Sequence, residues 1–547
     1  MNHISDKILV TCAFPYANGD IHLGHLLEQI QADIWVRYHR MKHRSVVFIC
    51  SDDTHGTAIM LKSKNMNISS EKLIHDIGIK HKSDFLKFSI IHDYYSSTHS
   101  QVNKDLCCNI FKILKKKKFI KEKIISQLYD KKLNMFLPDR FIKGICPKCK
   151  SNNQYGDNCD YCGAFYNAIE LLNPISELSK TKPIIKQSNH LFFKLSYFKK
   201  FLKTWINSGI TQKSILNKLN DLLSKKLCSW NISRDKPYFG FEIPGYIDKF
   251  FYVWMDAPIG YISCIQEFCN INKTVNFNDF WSKHSKYQLF HFIGKDIIYF
   301  HCLFWPAILE GCEYRKPTNI FVHGYVTLNK LKLSKSKGSI ITANQWLSYF
   351  DSDSLRYYFA SKLSNNIEDI EINLYDYAYR INSDIVNNVI NLASRSYFFL
   401  KKYFFSILSN NLLKEKLYKK FVSSIKDIEN FFEKRKFSLI IQKIRFLSQK
   451  ANKYFNDQKP WVLIKNIIYK SKVHDICSLS INLFRILMTF LKPIMPTLVK
   501  KSEFFLNKKL LWEKIKIPLT NHKLNNFSCF YKRININDID KFLKKVI

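Results

Sequence analysis

Acidic residues are scarce in this chain: 45 Asp and Glu stand against 85 Lys and Arg in 547 residues, a net charge of +40. That imbalance argues for a polyanionic partner such as RNA. Drift in an AT-rich genome is a competing source, since the abundant Lys, Asn, Ile and Phe all have A/T-rich codons. Other absences exclude more sharply. No Gly-x-x-x-x-Gly-Lys-Ser/Thr segment occurs, which rules out a Walker A phosphate loop. The 15 cysteines form an odd set without a regular framework and include the adjacent pair Cys107-Cys108. A disulfide-stapled secreted domain is thereby excluded, and a reducing, cytoplasmic setting is expected. Met1 to Asp6 carries no basic region or apolar segment of the secretory kind, so no leader is expected. The most apolar stretch, Ile476 to Val499, contains Arg485, Lys492, Pro493 and Pro496, which predicts a core helix and no membrane span. What is present, 46% hydrophobic and 15% aromatic residues, excludes general disorder. A chain this long divides into about two to four domains.

Ile8 to Met41 is the organising stretch. Ile8-Leu9-Val10-Thr11-Cys12 is an apolar run of strand type, and Pro15, Asn18 and Gly19 then break it. Leu23, Leu26, Leu27, Ile30 and Ile34 follow at helical spacing. The tetrad His22-Leu23-Gly24-His25 falls in the first turn of that helix, where unpaired N–H groups and the positive dipole end favour an anion. Gly24 leaves no side chain to block a bulky ligand. No Glu-x-x-x-His completes a zinc site, so the pair suits a nucleotide phosphate better than a metal. Two surface histidines on an ordinary helix are the plain alternative. Further along, Lys332, Ser334, Lys335, Ser336 and Lys337 stand before Gly338 on a loop that can clamp polyphosphate; a solvated basic face is the alternative there.

Found together and in this order, the two motifs resemble the paired signatures of class I aminoacyl-tRNA synthetases. Thr11 to Gly19, Phe251 to Tyr261 and Phe292 to Asp296 narrow the resemblance to the methionyl-tRNA synthetases of the bacterial zinc-containing type, along essentially the whole chain. The resemblance implies ATP-dependent activation of L-methionine and its transfer to initiator and elongator methionine tRNA. It makes His22, His25, Lys332 and Lys335 the catalytic set, with Leu333 replacing the family's usual methionine. His22, Gly24, His25, Gly294, Asp296 and Lys335 are expected at ATP, with Mg2+ bridging its phosphates. The methionine pocket it implies comprises Ala13, Phe14, Tyr16, Asp53, Trp254, Ala257, Pro258, Tyr261, Ile297 and His301. Asp53 reads as a partner for the substrate ammonium or, equally, as a helix N-cap. Phe14 replaces the leucine common among relatives. Phe292 and Phe300 are expected in the core. On the helical region, Asn391, Arg395 and Trp461 correspond to the family's readers of the CAU anticodon, and a packed Trp beside a capped helix is the alternative.

Cys146-x-x-Cys149 and Cys159-x-x-Cys162 are two tight turns nine residues apart, a spacing that can close one tetrahedral zinc–sulfur site. Four thiolates leave no open position for substrate, so the zinc would be structural. Free or disulfide-bonded cysteines are the alternative. The alternation of strands and helices predicts an α/β fold, a split doubly wound, Rossmann-like parallel sheet with a zinc-knuckle insert, followed by an all-α helical bundle. The expected domains are 1–117 with 231–325 for nucleotide binding, 118–230 for the connective insert, 326–377 for the lysine-loop linking region and 378–547 for the helical anticodon-binding domain. Sheet runs are expected to resume at Phe250 to Tyr261 and Tyr287 to Ile293. The chain ends at Ile547 without the dimerising extension of many relatives, so a monomer is expected. Two competing functions remain: another class I synthetase, for leucine, isoleucine, valine or cysteine, and a non-catalytic zinc-containing RNA-binding relic. The insert leaves no room for a hydrolytic editing domain, and the intact signature histidines and lysines argue against a relic.

Overall fold

A computed structural model describes residues 5–138, 141–156, 159, 161–162, 164, 166–328, 331–332, 340–410, 415–528 and 530–546. In chain order the elements that frame the site are β1 (Lys7–Cys12), α1 (Leu23–Met41), β2 (Ser45–Asp52), α2 (Ser70–Lys87), β3 (Tyr94–Ser97) and α3 (Gln101–Lys116). The insert contributes the long antiparallel pair β4 (Ile120–Asp130) and β5 (Ile184–Phe193). Then come α4 (Val253–Ile271), β6 (Gln288–Gly294), β7 (Asn319–His323), β8 (Val326–Leu328), β9 (Leu331–Lys332) and β10 (Ile370–Ile372). Helices α5 (Asn391–Tyr403), α6 (Phe437–Gln458), α7 (Lys470–Leu491) and α8 (Ile536–Val546) belong to the C-terminal third.

Five parallel strands stand in the order β7-β6-β1-β2-β3. Strand order runs away from β1 in both directions, so β1 and β6 flank a topological switch point, the place where open α/β sheets bind ligands beyond their carboxyl ends. Alternation along β1 explains the two layers. Ile8, Val10 and Cys12 point into one core, shared with α1 and the helical region; Leu9 points into the other, shared with α3 and α4. The first of these cores is continuous: it runs from the sheet through Tyr357, Tyr377 and Leu483 to Phe542 of α8.

The insert forms a four-stranded sheet around β4 and β5 and a three-stranded sheet of Gln154–Tyr155, Ile142–Ile145 and Leu172–Ser176. After β7 the chain leaves the main sheet, and β9-β8-β10 form a small separate one. The C-terminal third is helical as its 3.6-residue patterns require. The segment Ile467–Leu491 is apolar enough to cross a membrane by length and composition, but 94% of its apolar window is buried inside the protein, which is the core helix the interrupting charges indicated.

One expectation fails. Of Phe250 to Tyr261, only Phe250 and Phe251 lie in a strand, Lys249–Phe251, which pairs antiparallel with Ser233–Asp235 outside the parallel sheet. The rest opens α4. Met255 to Ile265 is buried on every side, and a fully buried helix shows no amphipathic period to distinguish it from a buried strand.

Candidate active site

The start of α1 is closed by its own histidines. His22 has extended backbone geometry, and its Nδ1 accepts the Gly24 N–H at 3.1 Å; His25 Nδ1 accepts the His22 N–H at 3.4 Å. Each neutral ring therefore carries its proton on Nε2. The rings stack with centroids 3.7 Å apart. The Leu23 N–H goes to the Ile341 carbonyl at 3.0 Å, and Ala343 N–H returns to the Ile21 carbonyl at 2.8 Å. This corrects the expectation of bare helix N–H groups: the leading ones are taken, so contact with an anion falls to the imidazoles. It also revises the reason for Gly24, where an added methyl would lie 3.0 Å from the His22 ring. The same bonds bring residues 341–343, beyond the lysine loop, to the signature helix. Lys332 lies on β9, paired through Thr327 with β8, and Lys335 lies outside the described residues.

Asp53 follows the carboxyl end of β2, stitched to the β1 loop by Ala17 N–H to Asp53 O at 2.8 Å and Asp53 N–H to Pro15 O at 2.9 Å. It is not an N-cap. Helix Thr57–Asn65 is preceded by Gly56 at φ +115° with no side-chain cap, while Asp53 Oδ1 is buried without a hydrogen-bond partner. Burial, reinforced by nearby Asp256, pushes the Asp53 carboxyl well above its ordinary range despite a backbone bond from His55. A cationic ligand would reverse that shift.

The aromatic side of the crevice comes from α4. Trp254, Ala257, Pro258 and Tyr261 stand at i, i+3, i+4 and i+7, one helical face, which is the signal that the strand reading overlooked. Phe14 packs on Tyr261 with centroids 4.5 Å apart, and an added methyl at Gly260 would lie 2.8 Å from the Phe14 ring. Tyr261 donates its hydroxyl proton to His301 Nε2 at 2.9 Å, while His301 Nδ1 donates to the Ile297 carbonyl at 3.1 Å. Those two bonds fix the tautomer. Burial pulls the His301 pKa down to about 4, so the ring is neutral at physiological pH. His301 lies on a π-helical turn, Phe300–Phe304. Phe292 is core as expected. Phe300 is not: it stacks face to face on Trp254 at 3.6 Å and backs the pocket wall.

These groups converge on one cavity of about 700 Å³ at the switch point. It is lined by Ala13, Phe14, Tyr16, His22, Gly24, His25, Asp53, Trp254, Ala257, Pro258, Tyr261, Gly294, Asp296, Ile297 and His301. Sequence reasoning missed Glu28 and His323 on the same walls. His323 sits 3.1 Å from a Glu28 carboxylate oxygen and bonds the Gly324 carbonyl at 2.7 Å. Glu28 was findable, one turn past His25 on α1. His323, the last residue of β7, carried no comparable local signal.

Away from the crevice, the thiol sulfurs of Cys146, Cys149, Cys159 and Cys162 lie within 4.8 Å of one another. In each turn the second cysteine's N–H points at the first sulfur, Cys149 to Cys146 at 3.5 Å and Cys162 to Cys159 at 3.3 Å. Sulfurs 3.5 and 3.9 Å apart across the turns are unbonded, and four of them in this array can hold a metal ion. On the helical region the structure brings Arg395 of α5 to Trp461, with the guanidinium 5.5 Å from the ring centroid and 4.7 Å from that of Phe455. Arg395 also bonds Asn456 Oδ1 at 2.8 Å. Pro460 opens the short helix Pro460–Leu463, and Trp461 is 41% exposed. Asn391 stands one turn before Arg395.

A family model described as "tRNA synthetases class I (M)" matches residues 8–397. The methionine–tRNA ligase of Buchnera aphidicola from Acyrthosiphon pisum (strain Tuc7) is 55% identical over 543 residues, 99% of each chain. That of Blochmanniella floridana is 53% identical over 541 residues, covering 98% of this chain and 99% of the relative. Among solved structures, Mycobacterium tuberculosis methionyl-tRNA synthetase in complex with methionyl-adenylate superposes with a TM-score of 0.80 at 21% identity, over 96% of this chain and 99% of that one. At that identity the likeness shows the fold. With a family model spanning most of its length and relatives more than half identical from end to end, the chain belongs to the class I tRNA synthetases of the methionine type.

Proposed function

We propose that the switch-point crevice joins L-methionine to ATP as methionyl-adenylate, and that the chain then transfers methionine to the 3′ end of methionine tRNA, for initiation and elongation. The observation that carries this reading is a single cavity uniting a donor pair, His22 and His25, a buried unpartnered Asp53 oxygen and an aromatic slot closed by a neutral His301. Asp53 takes the substrate ammonium, and Trp254, Tyr261 and Phe14 embrace the thioether, whose contacts with ring edges add about 0.3–1.5 kcal/mol each. Held there, the methionine carboxylate attacks the α-phosphorus of ATP and expels pyrophosphate. Charge grows on the phosphate oxygens, and the Nε2–H groups of His22 and His25 stabilise it. Lys332 and Lys335 act on the pyrophosphate side, and Glu28 and His323 join Gly294 and Asp296 around the nucleoside. Mg2+ would travel with ATP and offset phosphate charge.

Cys146, Cys149, Cys159 and Cys162 fit one zinc, which would brace the insert. Metal analysis should find one equivalent that falls sharply in Cys159→Ala, and a fully active metal-free preparation would refute it. Unbonded thiols at every described cysteine suit a cytoplasmic protein. The division into 1–117 with 231–325, 118–230, 326–377 and 378–547 assigns chemistry, insert, lysine loop and anticodon reading. Arg395, Trp461 and Asn391 offer a cation, a stacking ring and an amide to unstacked bases. The deciding experiment is amino-acid-dependent ATP–pyrophosphate exchange across all amino acids. Methionine alone should support it. Exchange with leucine, isoleucine, valine or cysteine would point to a sister enzyme, and no exchange to a relic.

A further inference from the structure

Among the buried titratable groups near the crevice that the proposed reaction does not use, His81 stands out for what it connects. It lies on α2 with no exposed side-chain surface. Its Nδ1 is 2.6 Å from Asp52 Oδ1, and its Nε2 is 2.7 Å from the Gly19 carbonyl oxygen. A carbonyl only accepts, so Nε2 carries a proton. Asp52 Oδ1, which also receives the Tyr95 hydroxyl at 2.8 Å, bonds the other ring nitrogen. Both nitrogens of the ring are thereby committed. Burial alone would discharge it, but the Asp52 bond and charge, the Gly19 carbonyl and Asp84 outweigh burial and hold the pKa above the ordinary value. Gly78, one turn before His81, lets α2 approach: an added methyl there would lie 3.0 Å from Asp52 Oδ2.

The two ends of this bridge matter. Asp52 is the last residue of β2 and the immediate neighbour of Asp53. Gly19 stands three residues before His22 on the loop between β1 and α1. We infer that His81 is a positioning residue, a tie between the strand end that holds the amino-acid ammonium and the loop that sets the phosphate-binding histidine, so that carboxylate and α-phosphorus meet in register. The inference rests on the roles given above to Asp53 and His22. A tie fails when either end is cut. In His81→Asn the side-chain amide occupies the Nδ1 position and can reach only Asp52; in His81→Gln it occupies the Nε2 position and can reach only Gly19; His81→Phe keeps the volume and reaches neither.

The test is single-turnover adenylate formation at saturating methionine and ATP, together with equilibrium binding of each substrate alone and thermal melting of each variant. Misplacing reacting groups costs rate rather than affinity, so all three variants should bind each substrate as the parent does while the adenylation rate falls about tenfold or more. The double loss in His81→Phe should be no larger than either single one. A full rate in His81→Asn or His81→Gln overturns the tie. So does a loss that tracks lowered melting temperature or weakened binding of one substrate, since that describes an ordinary core residue. Two controls separate the two levels, His22→Ala in the rate measurement and Asp53→Asn in the methionine-binding measurement: if His22→Ala keeps the rate and Asp53→Asn keeps the affinity, the reading of the site itself has failed.

Discussion

On the proposed reading the crevice and the helical face each take a substrate, yet they are built in opposite ways. In the crevice the named histidines are buried or half-buried and fixed by hydrogen bonds: His301 is neutral with one fixed tautomer, and His22 and His25 are held by backbone N–H groups. On the helical face Trp461 is 41% exposed and Arg395 lies over it, and Val462, Ile467 and Ile468 are exposed close by in the sequence. A small ligand that must be told from near-isosteres calls for preformed, dry contacts, because a methylene is worth only about 1–3 kcal/mol. Unstacked bases are met instead by faces and cations that water also reaches. The difference fits the proposed separation of adenylate chemistry from tRNA reading along the chain.

Lys335→Ala should strain the comparison most. Removing one donor to the transition state lowers kcat by about a hundredfold or more, with the fold and methionine binding intact. Pre-steady-state adenylate kinetics check this, and an unchanged rate removes Lys335 from the mechanism. Next in size is Asp53→Asn, which deletes a charged hydrogen-bond partner worth about 1.5–3 kcal/mol and should raise KM for methionine accordingly. The parent should also show a distinctive pH dependence. With Asp53 proposed to bind the ammonium as a carboxylate and burial favouring its protonated form, methionine binding is expected to release a proton and to weaken as pH falls. Calorimetry in buffers of different ionisation enthalpy would detect that proton, and Asp53→Asn should lose it.

Trp461→Ala sharpens the contrast from the other side. Loss of one stacked base costs about 1–3 kcal/mol, so tRNA charging should weaken while ATP–pyrophosphate exchange stays at the parental rate. If both half-reactions fall together, Trp461 is a packing residue. Phe14→Leu is the smallest change. It should remain active and shift the kcat/KM ratios among methionine, homocysteine and norleucine by at most tens of fold. Fixed ratios with altered thermal stability alone would place Phe14 outside the selective surface.

Legibility in the sequence followed range. The strand, loop and helix from Lys7 to Met41 stood out because their signals are local: an apolar run, breakers and a 3.6-residue period. The paired Cys-x-x-Cys turns were legible for the same reason. Phe250 to Tyr261 reads as sheet in the sequence because burial on all sides from Met255 onward erases its periodicity, although its pocket residues stand out. Asp53 was ambiguous between cap and ligand, since the choice depends on Gly56 and on whether a carboxylate oxygen finds a partner in three dimensions. Glu28 and His323 form their pair across 295 positions, a separation that no local pattern encodes. The bonds that join Ile21 and Leu23 to Ile341 and Ala343 were equally out of reach.

The continuous core that runs from the inner face of β1 to Phe542 bears on how this molecule can be divided. Arg356, fully buried, bonds Asp33 of α1 as well as the carbonyls of Phe88, Pro493 and Ile494, and so rivets sheet and helices together at one point. The proposed chemistry and RNA reading are separable on paper, but among the described residues one buried cluster joins the sheet to the helical region. The helical third is therefore a poor candidate for transplantation: excised, it would carry the exposed half of a shared interior, and the α1 side of the remaining sheet would lose part of its cover. Changes to the proposed anticodon face are therefore better made residue by residue than by exchange of the whole helical third.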